Sequence, residues 1–363
     1  MLRLMSDAKQ TWRLLDTGTQ PAANNIALNR ALLEARQTNQ APNTLRFLGF
    51  EPCALLGFHQ SAAQELNLEY CADHDIEIQR RITGGGAIYF DTTQIGWELY
   101  LDKQTLGTAD MTAISSRICT AVAKGISSLG VDAKFRPRND IEVDGRKISG
   151  TGGAFDGDAL MYQGTLLISF DVEKMLRILN IPAEKLSDKA ILSARERVTN
   201  LETLLGYVPE RAIVIAALQQ AVENEFNVDF VSGELNAIEQ ELYGEAIKEI
   251  DHPEWIGMID LPESDRPTLT ASQKFAAGLL QVNIAYDQVK QRIKQVWFSG
   301  DVFISPRRTL VDLEAVLRDS HVDNVDVIVL DFFKKRHVDM LTLTPENILG
   351  LIKMAIQPAE VVA

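Results

Sequence analysis

Apolar residues recur along the chain at two spacings, one helical and one alternating, and these spacings predict its elements. Side chains that return every three to four residues indicate amphipathic helices, and short apolar or alternating runs between turn residues indicate strands. Predicted helices cover residues 25–36, 66–75, 110–130, 171–179, 209–226, 310–317 and 344–355. Predicted strands cover 44–50, 53–58, 76–82, 96–101, 139–143, 147–150, 162–170, 278–285 and 293–299, and 325–333 is a further apolar segment.

The predicted strands come in antiparallel-looking groups, with helices between the groups. Asp144-Gly145 is a favoured two-residue hairpin connection, because both positions tolerate positive φ. This order differs from a regular alternation of strand and helix. It predicts an α/β (α+β) fold in which helices pack on a mixed sheet.

Prolines and acidic residues accumulate between residues 245 and 270. His252-Pro253, Leu261-Pro262 and Arg266-Pro267 are expected to interrupt regular structure there. The predicted organisation is a first domain at 1–248, a linker at 249–268 and a compact α+β domain at 269–363.

The composition narrows the class of protein. The chain has 363 residues and 46% hydrophobic content, enough for two packed domains. Its net charge of −14 argues against broad nucleic-acid binding, which depends on an excess of basic surface. No apolar run approaches the ~20 residues of a membrane span, and residues 1–10 show no secretion signal. We expect a monomeric, cytoplasmic protein that binds neither nucleic acid nor membrane.

The cysteine and histidine pattern predicts no metal centre. Cys53, Cys71 and Cys119 are scattered without CxxC spacing, as expected of free or buried thiols in a reducing compartment. The five histidines are dispersed along the chain rather than clustered as metal ligands.

Residues 80–91 contain two arginines followed by three consecutive glycines. Backbone N–H groups of a glycine run can approach a ligand closely and form an anion-binding concavity, and arginines supply planar donors for phosphate or carboxylate. An ordinary turn has the same letters, so this run alone leaves both interpretations open.

A second glycine-bearing segment, residues 139–153, carries Lys147 just after the predicted hairpin turn. A lysine there can neutralise a carboxylate and then the phosphate that activates it. Asn139-Asp140 could orient a ribose or a magnesium ion, or could close the hairpin as an Asx-type turn. These interpretations stay open at this point.

Two other charged segments favour plainer roles. Arg195 and Arg197 fit a salt-bridge cluster at a helix entry better than a substrate loop, although the residues permit both. Lys334-Lys335-Arg336 is expected to be a charged strand end or loop rather than a docking site for an acidic partner.

The ordered segments together resemble the lipoate–protein ligase family. Residues 80–91 are similar to its RRxSGGGAVxHD signature and residues 139–150 to its ND…GxKxSG segment. Residues 164–167 match its GTLL strand, and the segment from Lys185 to Leu201 is similar to its K…RVTNL segment. The order and spacing agree over about residues 10–245, and the C-terminal part resembles the accessory domain of these ligases.

The resemblance implies the class II biotin/lipoate ligase fold and a two-step reaction. Lipoate and Mg²⁺-ATP would give lipoyl-AMP, and a lysine of an acceptor carrier protein would then take the lipoyl group. Lys147 would contact the lipoyl carbonyl and the activating phosphate, with Asn139 on the nucleotide side and Asp140 as the magnesium ligand. The nucleotide would be held by Arg81, Gly84, Gly85, Gly86, Ala87, Ile88 and Tyr89.

The sequence departs from the family pattern at two histidine positions. Phe90 stands where the first motif usually has histidine, and Gln163 replaces the histidine before GTLL. Residues 151–155 are also richer in glycine than the usual continuation. Because neither histidine is a nucleophile in the ligase reaction, the activity is expected to survive with altered acyl-chain fit or acceptor choice.

Three alternatives remain beside the ligase. An octanoyltransferase of the same superfamily needs an activated thiol, and no cysteine follows Cys119. A biotin ligase fits less well because the arginine–glycine motif is of the lipoate type, and a non-catalytic lipoyl-binding protein is the third. The acceptor, whether a lipoyl domain, a glycine-cleavage H-type carrier or a lipoate-binding carrier, stays open, as do the preference between lipoate and octanoate and the role of the accessory domain.

Overall fold

The computed structural model describes residues 9–137, 139–180, 188–261, 268–340 and 342–356. Its helices are α1 (Ala22–Gln37), α2 (Ala62–Glu65), α3 (Leu68–Asp73), α4 (Lys103–Leu106), α5 (Met111–Ser127), α6 (Val172–Ile178), α7 (Asp188–Arg195), α8 (Leu201–Leu205), α9 (Arg211–Phe226), α10 (Ala237–Ile250), α11 (Pro253–Gly257), α12 (Thr309–Leu317), α13 (Val325–Lys334) and α14 (Pro345–Ile356). Its strands are β1 (Gln10–Gln20), β2 (Thr44–Phe50), β3 (Cys53–Leu56), β4 (Glu77–Arg80), β5 (Ile88–Phe90), β6 (Gln94–Asp102), β7 (Ala133–Arg136), β8 (Asp140–Val143), β9 (Arg146–Asp156), β10 (Ala159–Leu167), β11 (Val228–Ser232), β12 (Thr268–Phe275), β13 (Gly278–Asp287), β14 (Arg292–Gly300), β15 (Ile304–Ser305), β16 (Ser320–His321) and β17 (Asp339–Met340).

The chain divides into two compact units, and each is built from separate stretches of sequence. The first comprises the described residues of Met1–Cys53, Tyr89–Arg177 and Ile181–Glu249. The second comprises those of Ala54–Ile88, Ile178–Asn180 and Ile250–Ala363.

The first unit is organised around an eight-stranded mixed sheet. The strand order is β11-β1-β2-β6-β10-β9-β8-β7. Strand β1 runs parallel to both β11 and β2, and the remaining neighbours are antiparallel. The mixed sheet packed by helices confirms the predicted fold class.

The two faces of this sheet differ in chemistry. Leu45 and Phe47 of β2 belong to the apolar core that α5 and α9 complete. Arg46 lies between them on the strand, so its side chain points to the opposite face, where Asn25 of α1 accepts a hydrogen bond at 2.6 Å. The buried guanidinium also pairs with Glu98 at 3.0 Å. Helix α1 therefore adds a buried polar network to apolar packing by residues such as Ile26 and Leu32, whereas α5 and α9 complete the apolar core of the other face.

The second unit contains an antiparallel sheet of order β12-β13-β14-β16. Helices α12, α13 and α14 bury its apolar side chains, with Leu280, Val282 and Phe298 on the strands and Leu313 and Ile352 on the helices. The same unit includes β3 and β4, which are neighbours in a small sheet.

Most of the predicted elements are confirmed. Asp110 caps α5 by accepting a hydrogen bond from the N–H of Thr112 at 2.9 Å, although the helix ends at Ser127, before the expected stop. The predicted hairpin is present, and its turn residues Asp144 and Gly145 have φ of 51° and 73°.

The structure assigns a conformation to two further segments near the C-terminus. The apolar segment 325–333 is helix α13, whose buried Val325, Val329 and Phe332 lie at helical spacing. Lys334 is the last residue of α13, so the expected strand end is wrong, and Lys335 and Arg336 follow the helix in the expected loop. Arg336 lies over the Phe332 ring with 4.0 Å between its Cζ and the ring centroid.

The segment expected to be a linker contains helix α11. His252 is its N-cap and Pro253 its first residue, so this proline begins a helix rather than interrupting one. The domain boundaries at 248 and 269 stay predictions. Among the described residues, no helix combines the length and the apolar character needed to cross a bilayer.

Candidate active site

Lys147 lies in the first unit, and both its backbone N–H and its backbone carbonyl are hydrogen-bonded to a neighbouring segment. Its N–H donates to the carbonyl oxygen of Arg197 at 2.8 Å, and its own carbonyl accepts from the N–H of Thr199 at 2.9 Å. This is a parallel bridge between Lys147 and Val198. The Arg-Val-Thr segment therefore anchors the backbone from which the Lys147 side chain extends.

The Lys147 side chain runs along its own strand toward β8. Its Nζ lies 2.7 Å from Oδ1 of Asp140, and the lysine side chain keeps 41% of its surface exposed. A Cβ atom on Gly150 would lie 2.8 Å from both Cε and Nζ of Lys147, closer than such atoms approach. Gly150 is thus the residue that leaves room for this course of the side chain.

Asp140 is shared between two cations. Its Oδ2 accepts from Nη2 of Arg136 at 2.9 Å, and Nη1 of Arg136 lies 2.8 Å from Oε1 of Glu142. Two cations and two carboxylates form one cluster, and only Lys147 of these four comes from β9. An incoming anion would find at its edge a lysine whose charge is only partly satisfied.

Both oxygens of Asp140 are therefore engaged by cations. Magnesium ions are usually held by one or two carboxylates together with water and phosphate oxygens. Among the described residues, no group of three or more His, Cys, Asp or Glu side chains is placed to hold a metal ion. In this conformation Lys147 and Arg136 both pair with the Asp140 carboxylate, and a role for Asp140 as a magnesium ligand stays a prediction.

Asn139 is fixed by the main chain of β9. Its Nδ2 donates to the carbonyl oxygen of Thr151 at 3.0 Å, while the N–H and the hydroxyl of Thr151 donate to the Asn139 carbonyl at 2.8 and 3.0 Å. The asparagine thus joins the start of β8 to β9, directly before Asp140.

Cys119 contacts the Thr151 side chain and is not activated as a nucleophile. The cysteines of the chain are free and buried. The Cys119 sulfur lies 3.4 Å from the Thr151 hydroxyl and 3.2 Å from the Tyr162 hydroxyl. Burial raises the pKa of this thiol, so the reactive thiolate is disfavoured.

The glycine loop, residues 84–86, belongs to the second unit, and the Arg81 side chain donates hydrogen bonds to its backbone. Its Nη2 donates to the carbonyl oxygens of Gly84 and Gly86 at 3.1 and 2.9 Å, and its Nη1 donates to Leu55 at 2.8 Å. Arg81 is buried. In this conformation its guanidinium holds the loop backbone together.

Arg80, the neighbouring arginine, is completely buried. Loss of hydration lowers its pKa to about 10. The carbonyl dipoles around it compensate the buried charge in place of water. Its guanidinium donates to the carbonyl oxygens of Gly57, Phe58, Gln60, Trp255 and Ile256.

The glycines of the loop are required by close packing inside the second unit. A Cβ on Gly84 would lie 2.3 Å from the carbonyl oxygen of Val302, and one on Gly85 would lie 2.7 Å from Cζ of Phe303. Gly85 also has φ of 95°, which disfavours any side chain. Gly86 is less confined, with the nearest atom, Cβ of Asp301, at 3.9 Å.

The two departures from the family pattern lie on strands of the first unit. Phe90 is buried and packs on Phe50, with ring centroids 4.6 Å apart. It therefore contributes to the core rather than to a polar contact. Gln163 is half-buried on β10, opposite Glu98 and Gly152 in the sheet register.

The structure brings some of the predicted site residues together within one unit. Lys147, Asn139 and Asp140 are neighbours in the first unit, which also contains Tyr89, whose ring centroid lies 5.2 Å from Nζ of Lys174. Arg81, Gly84, Gly85, Gly86, Ala87 and Ile88 lie in the second. Lys185 falls outside the described residues.

Sequence reasoning missed Arg136, Glu142 and Gly150. A signal was present for the first two, because charged residues alternate along β7 and β8 and so share one face of the hairpin. Arg195 ends α7 and Arg197 supplies its carbonyl oxygen to Lys147. The role of Gly150 depends on the rotamer of Lys147, and a sequence pattern does not specify a rotamer.

Comparison with known proteins adds a family match. The family model described as lipoyl protein ligase A/B catalytic domain matches residues 21–227. The octanoyltransferase LipM of Kyrpidia tusciae is 26% identical over 270 residues, which cover 68% of this chain and 98% of that protein.

Two solved structures extend the comparison. The bipartite lipoate protein ligase of Thermoplasma acidophilum, described together with its E2 lipoyl domain, has a TM-score of 0.62 at 26% identity and covers 70% of this chain and 99% of its own. Plasmodium falciparum LipL1 in complex with lipoate has a TM-score of 0.70 at 16% identity, over 95% of this chain and 98% of its own. The second match shows a common fold over nearly the whole chain.

Proposed function

Because the chain belongs to the lipoyl protein ligase A/B catalytic-domain family, we propose that it is an ATP-dependent lipoate–protein ligase. The observation that carries the proposal is the placement of Lys147. Its backbone is anchored at both ends, and its ammonium lies beside a carboxylate with part of its surface open. Such a group can bind two anions in turn without itself forming a covalent bond.

The reaction that fits these residues has two steps. In the first, a carboxylate oxygen of lipoate attacks the α-phosphorus of ATP, and pyrophosphate leaves. In the second, the amine of an acceptor lysine attacks the acyl carbon, loses a proton and releases AMP. Lys147 would neutralise the lipoate carboxylate and α-phosphate as they approach, and then the acyl-phosphate oxygens of lipoyl-AMP. Arg81 and residues 84–89 remain the proposed nucleotide-binding residues.

Magnesium would enter this reaction with the phosphates of ATP. A bound Mg²⁺ neutralises phosphate charge. A role for Asp140 as its protein ligand stays a prediction, since Lys147 and Arg136 occupy both carboxylate oxygens here. Asn139 is proposed to lie on the nucleotide side, where its carbonyl and amide are already fixed by Thr151.

The proposed acceptor is a lipoyl domain of a 2-oxo acid dehydrogenase, because the Thermoplasma ligase is described with an E2 lipoyl domain. Lipoate-dependent exchange between ATP and labelled pyrophosphate tests the first step alone. We expect exchange by the full chain, and at least a hundredfold loss for Lys147→Ala, which removes the cation at the reacting centre. Lys248→Ala changes an exposed lysine of α10 and is the matched control. Absence of exchange with both lipoate and octanoate would exclude the ligase.

The second candidate is an octanoyltransferase, which the Kyrpidia relative favours. That reaction passes the acyl chain through a cysteine thioester. The burial and raised pKa of Cys119 oppose this role. We expect free lipoate and ATP to acylate the carrier, and Cys119→Ser to retain this activity because serine keeps the contacts to Thr151 and Tyr162. ATP-independent transfer from an octanoyl carrier that Cys119→Ser abolishes would reverse the assignment.

A further inference from the structure

Three neighbouring strands bring four charged residues onto one face of the first unit. Arg136 of β7 lies directly opposite Asp140 of β8, and Glu142 of β8 lies directly opposite Lys147 of β9. Residues directly opposite on antiparallel strands have their side chains on the same face, within reach of one another. The four groups therefore form one charge cluster that has Lys147 at its end.

Arg136 differs from Lys147 in how it engages the carboxylates. Its planar fork reaches Asp140 with one nitrogen at 2.9 Å and Glu142 with the other at 2.8 Å. Lys147 reaches Asp140 at 2.7 Å. A guanidinium presents several donors in a fixed geometry and can join two carboxylates, whereas an ammonium acts as a point charge.

We propose that Arg136 is a positioning residue that keeps Lys147 available to the substrates, an inference that rests on the proposed function. With Arg136 in place, each carboxylate is paired with a guanidinium nitrogen, so Lys147 can leave Asp140 when a substrate carboxylate or phosphate arrives. Without Arg136, two carboxylates would face one lysine. Lys147 would then be held by both, and a substrate anion would have to compete with them.

Competition between the carboxylates and lipoate for Lys147 should weaken lipoate binding, because Lys147 must leave the carboxylates before it pairs with lipoate. Arg136→Gln is expected to raise the KM for lipoate about three- to fivefold, in keeping with a partly exposed ion pair, with kcat changed less than about twofold. Arg136→Lys keeps the charge but not the fork, and it should recover about half of the loss.

Lys134→Gln is the matched control. Lys134 lies on the same strand two residues before Arg136 and faces the same side of the sheet, but its Nζ bonds to Asp132 at 2.7 Å. The substitution removes one positive charge from the same surface without touching Asp140. Its KM for lipoate should equal that of the unaltered protein.

A second measurement follows Lys147 without any substrate. The full-length protein and its variants are treated with limiting acetic anhydride, and acetylation of Lys147 is followed by peptide mass spectrometry. An ammonium enclosed by two carboxylates is shielded from the reagent and is therefore acylated more slowly. We expect the rate at Lys147 to fall about three- to fivefold in Arg136→Gln, less in Arg136→Lys, and not in Lys134→Gln.

The two measurements separate the inference from the proposed function. If the unaltered protein shows no lipoate-dependent exchange but Lys147 labelling follows the expected order, the ligase proposal fails and the role of Arg136 stands. If exchange is present but Arg136→Gln labels Lys147 as fast as Lys134→Gln does, the role of Arg136 is overturned. Thermal unfolding of each variant shows whether any loss comes from unfolding instead.

Discussion

Gly150 is the residue on which the side chain of Lys147 rests, and a single methyl group there should displace the ammonium. The added carbon would lie 2.8 Å from Cε and Nζ, so the flexible lysine must move away from Asp140. We expect Gly150→Ala to lower kcat/KM for lipoate about tenfold, because misplacing a charged group at a reacting centre is costly. Pyrophosphate exchange measures this loss.

Gly244→Ala is the control for the same substitution. Nothing lies within 4 Å of a Cβ at Gly244, which is inside helix α10. Alanine there should leave exchange unchanged and stabilise the helix by about 1 kcal/mol. Full activity of a folded Gly150→Ala protein would show that the described course of Lys147 is not the one used in the reaction.

Arg80 should contribute to the stability of the folded protein rather than to nucleotide binding. Its guanidinium donates to five buried carbonyl groups, and a lysine has only three donors to offer. Arg80→Lys leaves carbonyls unpaired and should cost about 2–4 kcal/mol of unfolding free energy, measured by urea denaturation. Arg292→Lys makes the same change at an exposed ion pair with Asp319 and should cost less than about 1 kcal/mol. Equal losses would contradict the role given to Arg80.

At this scale the sequence could predict where Lys147 lies in its hairpin, but not the contacts of Arg80 and Arg81. Lys147 follows an Asp-Gly turn, which is a local signal, and its turn and strands were confirmed. The partners of Arg80 at Trp255 and Ile256 are far away along the chain. Nothing in residues 80–91 distinguishes an arginine that binds phosphate from one that binds carbonyl groups.

Among the elements, pairing between near neighbours was predictable and distant pairing was not. The β8–β9 hairpin was predicted, and so were the two strands of the β13–β14 pair; a short turn joins the strands in each case. The parallel pairing of β1 with β11 joins residues more than two hundred positions apart, and no local pattern contains it. Helix α13 was missed because its apolar face was interpreted as an uninterrupted apolar run.

Helix α12 should make the stability of the second unit depend on pH through Glu314. Burial raises the pKa of this carboxyl from 4.5 to about 7, although the N–H of Phe298 donates to it at 2.8 Å. Below about pH 4.5 the group is protonated in both folded and unfolded protein and has no effect. Between 4.5 and 7 only the unfolded form loses its proton, so stability falls with rising pH, by up to about 3 kcal/mol.

Glu314→Gln should remove this penalty, because glutamine stays neutral and its oxygen still accepts from Phe298. Its thermal midpoint should match that of the unaltered protein at pH 4 and exceed it by several degrees at pH 8. Glu241→Gln, at an exposed position of α10, makes the same charge change and should show no such divergence. A parallel pH dependence for Glu314→Gln and the unaltered protein would contradict the assignment.

For the whole molecule, a chain that ends at residue 248 should lose order in residues 57–60 and 80–86. It would lack the carbonyls of α11 that bind Arg80 and the Val302–Phe303 segment that packs on Gly84 and Gly85. Hydrogen exchange should show faster exchange in these two segments than in the full chain.

Peptides from the β8–β9 hairpin, in the first unit, are the internal control and should keep their protection. Phe303→Ala in the full chain tests the same contact if the shortened chain does not fold. It should loosen the loop around Gly85, since the ring lies against that residue. Unchanged protection of residues 80–86 in both proteins would contradict the packing role.

The sequence could not predict which stretches of the chain come together in the second unit. Proline-rich segments mark places where a chain is interrupted, and this is how the boundary near residue 250 was inferred. A compact unit that gathers residues 54–88 with residues after 250 is defined by contacts in space. Such contacts depend on complementary surfaces, which have no local signature in composition or periodicity.

The discontinuous second unit has a consequence for how the protein is made. Residues 54–88 leave the ribosome early, while the residues that complete their unit, from 250 onward, are translated last. At about 5–20 residues per second this interval lasts on the order of ten seconds or more. During that time Arg80 lacks the carbonyl groups of Trp255 and Ile256, and a holding chaperone would have its best opportunity to bind the nascent segment.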